Sequence, residues 1–247
     1  MITEELIEKY KNATNKLVLL DYDGTLVSFA PIPEQATPSV RLLNALYKLV
    51  KKPTTKVVII TGREYRSIDK LIGHLPIDII AEHGAMIKEN GMWKNKIINN
   101  NAWKKEILPV LNQITAQYKG SFIEEKCFSL TWHYRNVDLI GGYIFSRELI
   151  RMTRDKTHTH DLRIIDGSKN VEIMTNEANK GKAINDLVNN DNYDYVLSIG
   201  DDVTDEDMFE ELKDNENAIT IKIGYGNTSA KYRLDSPSDV IQLLEQL

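Results

Sequence analysis

Short apolar runs alternate with amphipathic stretches over most of the chain. Lys16-Leu-Val-Leu-Leu20 reads as a short strand buried on both faces. Leu43, Leu46, Tyr47 and Val50 then recur at i, i+3, i+4 and i+7, one face of a helix. Val57-Val-Ile-Ile60 predicts a second buried strand, Ile68 to Leu75 a helix, and Ile77-Asp-Ile-Ile-Ala81 a third strand. Further along, Lys180 to Val188 reads as a helix, Tyr195 to Ile199 as a strand, Asp205 to Leu212 as a helix and Ala218 to Ile223 as a strand. This alternation predicts an α/β fold, a doubly wound parallel sheet covered on both faces.

The middle of the chain departs from that rhythm. Met86 to Trp93 reads as a hairpin around Asn90-Gly91. Residues 102–118 carry a helical pattern that Pro109 should kink or restart. From Phe128 to Arg135 the chain alternates strictly, with Phe128, Leu130, Trp132 and Tyr134 on one face, as in a half-buried antiparallel strand. Residues 137–152 predict a helix capped by Asn136, and Leu162 to Asp166 with Asn170 to Met174 a hairpin turning at Asp166-Gly167. Residues 101–172 therefore form an α+β insertion in a core made of 1–100 and 173–247.

Composition narrows the class. The 247 residues carry 31 Lys plus Arg and 36 Asp plus Glu, a net charge of −5. With no basic run and a pI near 5.6, nucleic acid is not an expected partner. No apolar run approaches the roughly 18 residues of a membrane span. The N-terminal MITEELIEKYKN is charged throughout, so a cytoplasmic location is expected. A lone Cys127 makes neither an internal disulfide nor a zinc site. An anionic substrate would have to be attracted locally, because the net charge repels it.

The candidate chemistry lies at the ends of the apolar strands, where open α/β sheets bind ligands. Asp21-Tyr-Asp-Gly-Thr25 follows the first strand. Asp21 suits a nucleophile and Asp23 a general acid and base, against the alternative of a turn in which both bond their own backbone. Thr61-Gly62-Arg63 follows the second strand: hydroxyl, glycine and guanidinium all suit a phosphate, but Thr61 also suits a plain helix cap. Glu82-His83-Gly84 follows the third, and there His83 reads as structural. Lys180 sits in a first helical turn against the helix dipole, either for function or as a solvated surface residue. After the fourth strand, Gly200-Asp-Asp-Val-Thr-Asp-Glu-Asp207 packs five carboxylates into seven residues. Asp201, with Asp202 or Asp205, is expected to face a cation, with Thr204 or Asp205 capping and Glu206 and Asp207 in solvent. Oxygen donors alone point to Mg²⁺ rather than zinc.

These segments, in this order, resemble the haloacid dehalogenase-like superfamily. Within it, LLDYDGTL at 19–26, TGR at 61–63, AEHG at 81–84, the stretch from Glu124 to Arg135 ending in WHYR, and GDDVTDEDMF at 200–209 are similar to the trehalose-6-phosphate phosphatase family. The resemblance implies a Rossmann-type core with an inserted cap. It also implies Mg²⁺ on Asp21, the Asp23 carbonyl and Asp201, and hydrolysis through an aspartyl-phosphate on Asp21. In that scheme Asp23 is the acid and base, and Thr61 and Lys180 steady the phosphoryl oxygens. Gly62 and Arg63 contact substrate, and Glu124, Lys126, Arg135 and Glu172, with His133 beside them, read the sugar. Two departures bear on the sugar site. The family's Glu-Val-Arg-Pro is here Glu172-Ile-Met-Thr175, and a lysine four residues before that glutamate is Ser168, with Lys169 next to it.

One difficulty is parity. Glu124 and Lys126 share parity with the apolar face of 128–134, whereas His133 and Arg135 do not, unless the chain turns or bulges between Glu125 and Cys127. A solvated Glu124–Lys126 charge pair is the plain alternative. Rival functions are a phosphatase for sucrose phosphate or a glycosyl phosphoglycerate, a phosphomutase, and a non-catalytic sugar-phosphate sensor of a synthase complex. The first residues resemble the linker of two-domain synthase–phosphatase proteins, so a trehalose-6-phosphate synthase domain or subunit is an expected partner.

Overall fold

A computed structural model describes residues 2–98, 101–190 and 192–247. The chain divides into two compact units, the first made of Met1–Lys96 with Asn179–Leu247 and the second of Ile97–Ala178. The first boundary expected from sequence, at residue 100, lies outside the described residues. The second was expected before residue 173, but the strand there runs on to Thr175.

The first unit is built on an eight-stranded sheet. Its strands are β1 (Lys16–Leu20), β2 (Thr55–Ile60), β3 (Asp78–Ala81), β4 (Met86–Glu89), β5 (Met92–Asn95), β10 (Tyr195–Gly200), β11 (Ala218–Ile223) and β12 (Tyr232–Leu234), in the order 12-11-10-1-2-3-4-5. β12 through β3 pair in parallel, and β4 and β5 add an antiparallel hairpin at one edge. At the hairpin tip Asn90 and Gly91 have φ of 51° and 78°, the left-handed pair that lets two twisted strands reconnect in two residues.

The helices are α1 (Ile2–Asn12), α2 (Val40–Val50), α3 (Tyr65–Ile72), α6 (Lys180–Asn190), α7 (Val203–Glu211) and α8 (Pro237–Gln246). Every residue of β1 is buried, so both sheet faces are covered. Leu17 and Leu19 pack with Val58, Ile60 and Val196 against Ile184 of α6 and Met208 of α7. α2 packs on β2 and on α8. The helix expected to reach Leu75 ends at Ile72, where Gly73 caps it. Residues 2–12 and 237–246, without an element in the sequence reading, are helices that bury Leu6 and Tyr10 and Val240, Leu243 and Leu244 respectively.

The second unit is an antiparallel sheet with two helices. Its strands β6 (Phe122–Glu125), β7 (Ser129–His133), β8 (Leu162–Gly167) and β9 (Asn170–Thr175) lie in the order 6-7-9-8, and its helices are α4 (Lys104–Gln117) and α5 (Leu139–Thr159). Leu130, Trp132, Val171 and Ile173 form one core with Ile107, Leu111 and Ile114 of α4 and Leu149 of α5. α4 runs as one helix through Pro109, so of the kink or restart expected there the restart does not occur. Three expectations are corrected here. α5 is capped by Asp138, which accepts from the Gly141 N–H, not by Asn136. The β8–β9 hairpin turns at Ser168-Lys169, with Lys169 at φ 62°, rather than at Asp166-Gly167. β7 is not half-buried, since Ser129 and Thr131 on its polar face are buried too. Among the described residues no helix is long and apolar enough to cross a membrane.

Candidate active site

In the first unit β1 is flanked by β2 and by β10, strands reached by the chain in opposite directions. That reversal is the switch point at which open sheets bind ligands beyond the strands' carboxyl ends. The β1 ladder continues one residue into Asp21, whose N–H donates to the Ile199 carbonyl at 3.0 Å. The β2 ladder likewise continues into Thr61, whose N–H donates to the Ile80 carbonyl at 2.8 Å. The ladders therefore fix the backbones of both polar residues.

Lys180 is not a solvated lysine. It is 2% exposed, and its Nζ donates to Asp21 Oδ1 and to Asp205 Oδ1, each at 2.8 Å. Burial opposes its charge, but the Asp205 and Asp21 carboxylates outweigh burial and hold its pKa above the ordinary lysine range. Asp205 is fully buried, and its Oδ2 accepts from the N–H groups of Asp201 and Asp202, both at 2.9 Å. It thus shapes the loop between β10 and α7. The cap of α7 is Asp202, with Asp205 closing a capping box, rather than Thr204 or Asp205. Glu206 and Asp207 are not simply in solvent: Glu206 accepts from the Ser229 N–H at 2.8 Å, and Asp207 from Asn179 Nδ2 at 2.9 Å.

Asp201 presses against the turn after β1. Gly24 has φ of 85°, and a Cβ there would lie 2.2 Å from Asp201 Oδ2, so the turn tolerates no side chain. Thr25, which sequence reasoning did not single out, donates its Oγ1 hydrogen to Asp201 Oδ1 at 3.1 Å. Its place within DYDGT was the available signal. Burial raises the Asp21 pKa to about 7, with Lys180 opposing and Asp205 adding to the rise. Burial also raises that of Asp201 to about 9, helped by the Asp21, Asp205 and Asp202 charges. Oxygens of Asp21, Asp201 and Asp205 lie within 4.8 Å of one another. Asp205 is engaged by Lys180 and two N–H groups, which leaves Asp21 and Asp201 as the carboxylates for an ion. Two crowded carboxylates, Asp21 buried and Asp201 half-buried, with no soft donor beside them fit a hard divalent cation such as Mg²⁺.

Thr61 is not a helix cap; Glu64 caps α3, and Thr61 Oγ1 accepts from the Arg63 N–H at 3.1 Å. The Arg63 guanidinium grips Asp23 by two hydrogen bonds of 2.6 Å. Glu82 and His83 adopt φ of 48° and 55°, a strained left-handed run followed by Gly84. Their N–H groups donate to the carbonyls of Arg63 and Thr61, both at 3.0 Å. The backbone at Glu82 and His83 therefore braces the 61–63 loop.

The second unit gathers most of the other candidates on one sheet face. β6 and β7 form a hairpin that pairs Glu124 with Thr131, and β9 pairs Glu172 with the same Thr131. The turn at 126–128 resolves the parity difficulty, because it puts Glu124 on the face of Thr131 and His133. Lys104 of α4 holds that turn through the carbonyls of Lys126 and Cys127. Glu124 Oε2 meets His133 Nε2 at 2.8 Å. Lys126 donates to Glu172 Oε1 at 2.9 Å, and Ser129 Oγ, missed in the sequence, donates to the same oxygen at 2.5 Å. Burial works to raise the Glu124 pKa, but Lys126 and His133 bring it below the ordinary glutamate value. Lys126 is only 7% exposed, so the solvated-pair alternative fails. Arg135 instead donates to the Ser168 carbonyl at the β8–β9 turn.

Known proteins resemble this arrangement over nearly the whole chain. The chain is 36% identical over 250 residues to alpha,alpha-trehalose-phosphate synthase [UDP-forming] B of Dictyostelium discoideum, a match of 99% of this chain and 32% of that protein. It is 36% identical over 245 residues to the bifunctional trehalose-6-phosphate synthase/phosphatase of Thermoproteus tenax, with 99% of this chain and 33% of that protein covered. The chain thus spans about a third of the length of these relatives. The C-terminal domain of C. albicans trehalose-6-phosphate phosphatase superposes with a TM-score of 0.94 at 29% identity, covering 99% of this chain and 95% of that one. The trehalose-phosphatase family model matches residues 19–238. By that match, which takes in Asp21, Asp23, Thr61, Lys180 and Asp201, the chain belongs to the trehalose-phosphatase family.

Proposed function

We propose that the chain hydrolyses trehalose 6-phosphate to trehalose and phosphate. The observation that carries this reading is the buried Asp21, at the end of β1, ion-paired to Lys180 at 2.8 Å with Asp23 two residues on. Asp21 is the nucleophile, and its bond to phosphorus displaces the sugar oxygen. Asp23 supplies the proton that this oxygen takes, then removes one from the water that frees Asp21. Thr61 and Lys180 steady phosphoryl oxygens whose charge grows in a loose transition state, and Gly62 lets its backbone approach them. Mg²⁺, held by Asp21, Asp201 and the Asp23 carbonyl, would supply charge neutralisation at the phosphoryl group.

The polar face of the second unit supplies groups for hydroxyls: Glu124, Lys126 and Glu172, with His133 and Ser129 beside them. Arg135, whose Nη2 donates to the Ser168 carbonyl, is a further candidate. Family membership, and the phosphatase half of the Thermoproteus tenax protein's name, favour trehalose 6-phosphate over other sugar phosphates. Because the relatives are about three times longer and carry synthase names, a trehalose-6-phosphate synthase domain or subunit is the partner we propose.

The test is phosphate release from a panel of sugar phosphates, with Mg²⁺ and with chelator. Release from trehalose 6-phosphate alone, lost with chelator and in Asp21→Asn, is expected. Equal release from glucose 6-phosphate would overturn the substrate, and an active Asp21→Asn the covalent route.

A further inference from the structure

We infer that Arg63 is the positioning residue of the Asp23 carboxylate, a role beyond the phosphate contact that the TGR resemblance implies. The inference rests on the phosphatase reading above. Arg63 Nε donates to Asp23 Oδ2 and Nη2 to Asp23 Oδ1, both at 2.6 Å. A fork of two parallel hydrogen bonds sets the plane of a carboxylate as well as its place, which a lysine cannot do. Nη2 donates also to the Pro33 carbonyl at 2.9 Å. The guanidinium lies 5.0 Å over the Tyr22 ring, whose hydroxyl donates to the Ala36 carbonyl at 3.2 Å. Arg63 thus ties Asp23 to the loop that follows it. Its own backbone is held at both ends, by Thr61 Oγ1 at its N–H and by the Glu82 N–H at its carbonyl. Side chain and backbone together aim Arg63 at Asp23.

Asp23 serves in both halves of the reaction. In the first half an Asp21 oxygen bonds to phosphorus, the phosphorus–sugar oxygen bond breaks, and the Asp23 proton passes to the sugar oxygen. In the second, a water oxygen bonds to phosphorus, the bond from phosphorus to Asp21 breaks, and the water proton returns to Asp23. Arg63 therefore positions the group that both halves use, and with a leaving group that takes no proton only the second half depends on it.

The test separates the two halves with p-nitrophenyl phosphate, whose nitrophenolate leaves without a proton. Rapid quench reads phosphorylation of Asp21 and hydrolysis of the phosphoenzyme as separate rate constants. In Arg63→Gln we expect hydrolysis to fall about a hundredfold, the scale of a lost general base, with phosphorylation near the parent rate. Arg63→Lys, with one point of attachment, should fall between and stands in if Arg63→Gln fails to fold. In an Asp23→Asn background, Arg63→Gln should add no further loss. Equal losses in both rate constants, a raised KM with normal hydrolysis, a full additional loss beside Asp23→Asn, or an Arg63→Lys indistinguishable from the parent would each overturn the inference. A parent inactive on every phosphate ester would instead remove the phosphatase reading itself.

Discussion

Asp21 and Asp201 show what burial does to neighbouring carboxylates. Their pKa values, about 7 and about 9, lie above the ordinary 3.8. Without metal the folded protein therefore keeps protons that the unfolded chain has released. The stability so conferred is fully present below about pH 4 and is lost as the pH climbs through 7 and towards 9. A divalent cation replaces those protons, so its protection should grow over the same window. We predict that the Tm gap between Mg²⁺-loaded and chelated protein widens by at least about 4 °C from pH 6 to pH 9. Asp201→Asn should raise the chelated Tm at pH 9 and shrink the gap; a gap independent of pH would show that the pair holds no cation. The sequence exposed these aspartates because polar residues crowd the ends of apolar strands. It concealed the partners of Lys180 and Arg63, because Asp205 and Asp23 reach them only through tertiary geometry.

Among elements, α5 shows how little a boundary depends on the obvious cap. Asn136 and Asp138 are both competent, and Asp138 wins by accepting from the Gly141 N–H at 2.8 Å. Asp138→Ala should therefore cost about 1 kcal/mol, a Tm loss of about 2–4 °C. Asn136→Ala should cost little, and the reverse ranking in thermal melts would restore the sequence expectation. Core strands were legible because continuous apolar runs have few other uses. β6 was not, since Phe-Ile-Glu-Glu carries two charges in four residues and is defined by its pairing with β7. That pairing supplies the turn that the parity of Glu124 and His133 required: two strands joined by a turn do not share the count of one.

At the scale of the whole molecule the two units divide the labour we propose. The first recognises a phosphate and one leaving oxygen, which every sugar phosphate has. Selectivity has to come from hydroxyl-binding groups, and a site built for hydroxyls rejects analogues lacking them by about 10⁴-fold, because its own polar groups are left unpaired. Glu124→Ala and Lys126→Ala should cut turnover of trehalose 6-phosphate sharply and leave p-nitrophenyl phosphate nearly unchanged. Equal losses on both would make these residues supports of the sheet rather than readers of the sugar. Sequence legibility was greatest here, in the order of segments along the chain, and least in the seams between units. The strand order also sets a timetable. β1 sits between β2 and β10, and Asp21 meets a lysine 159 residues further on. At about 5–20 residues per second, a ribosome needs roughly 10–40 s to make β10 after β1 has emerged. Through that interval one long side of β1 has no neighbour, while the second unit, unbroken in sequence, has all four of its strands before β10 is made. A chain stopped after residue 190 should accordingly collect in the insoluble fraction, and a soluble, monomeric product would refute this. Within this unit Asp21 is thus made early and housed late, so the open flank of β1 is where a nascent chain most needs a chaperone.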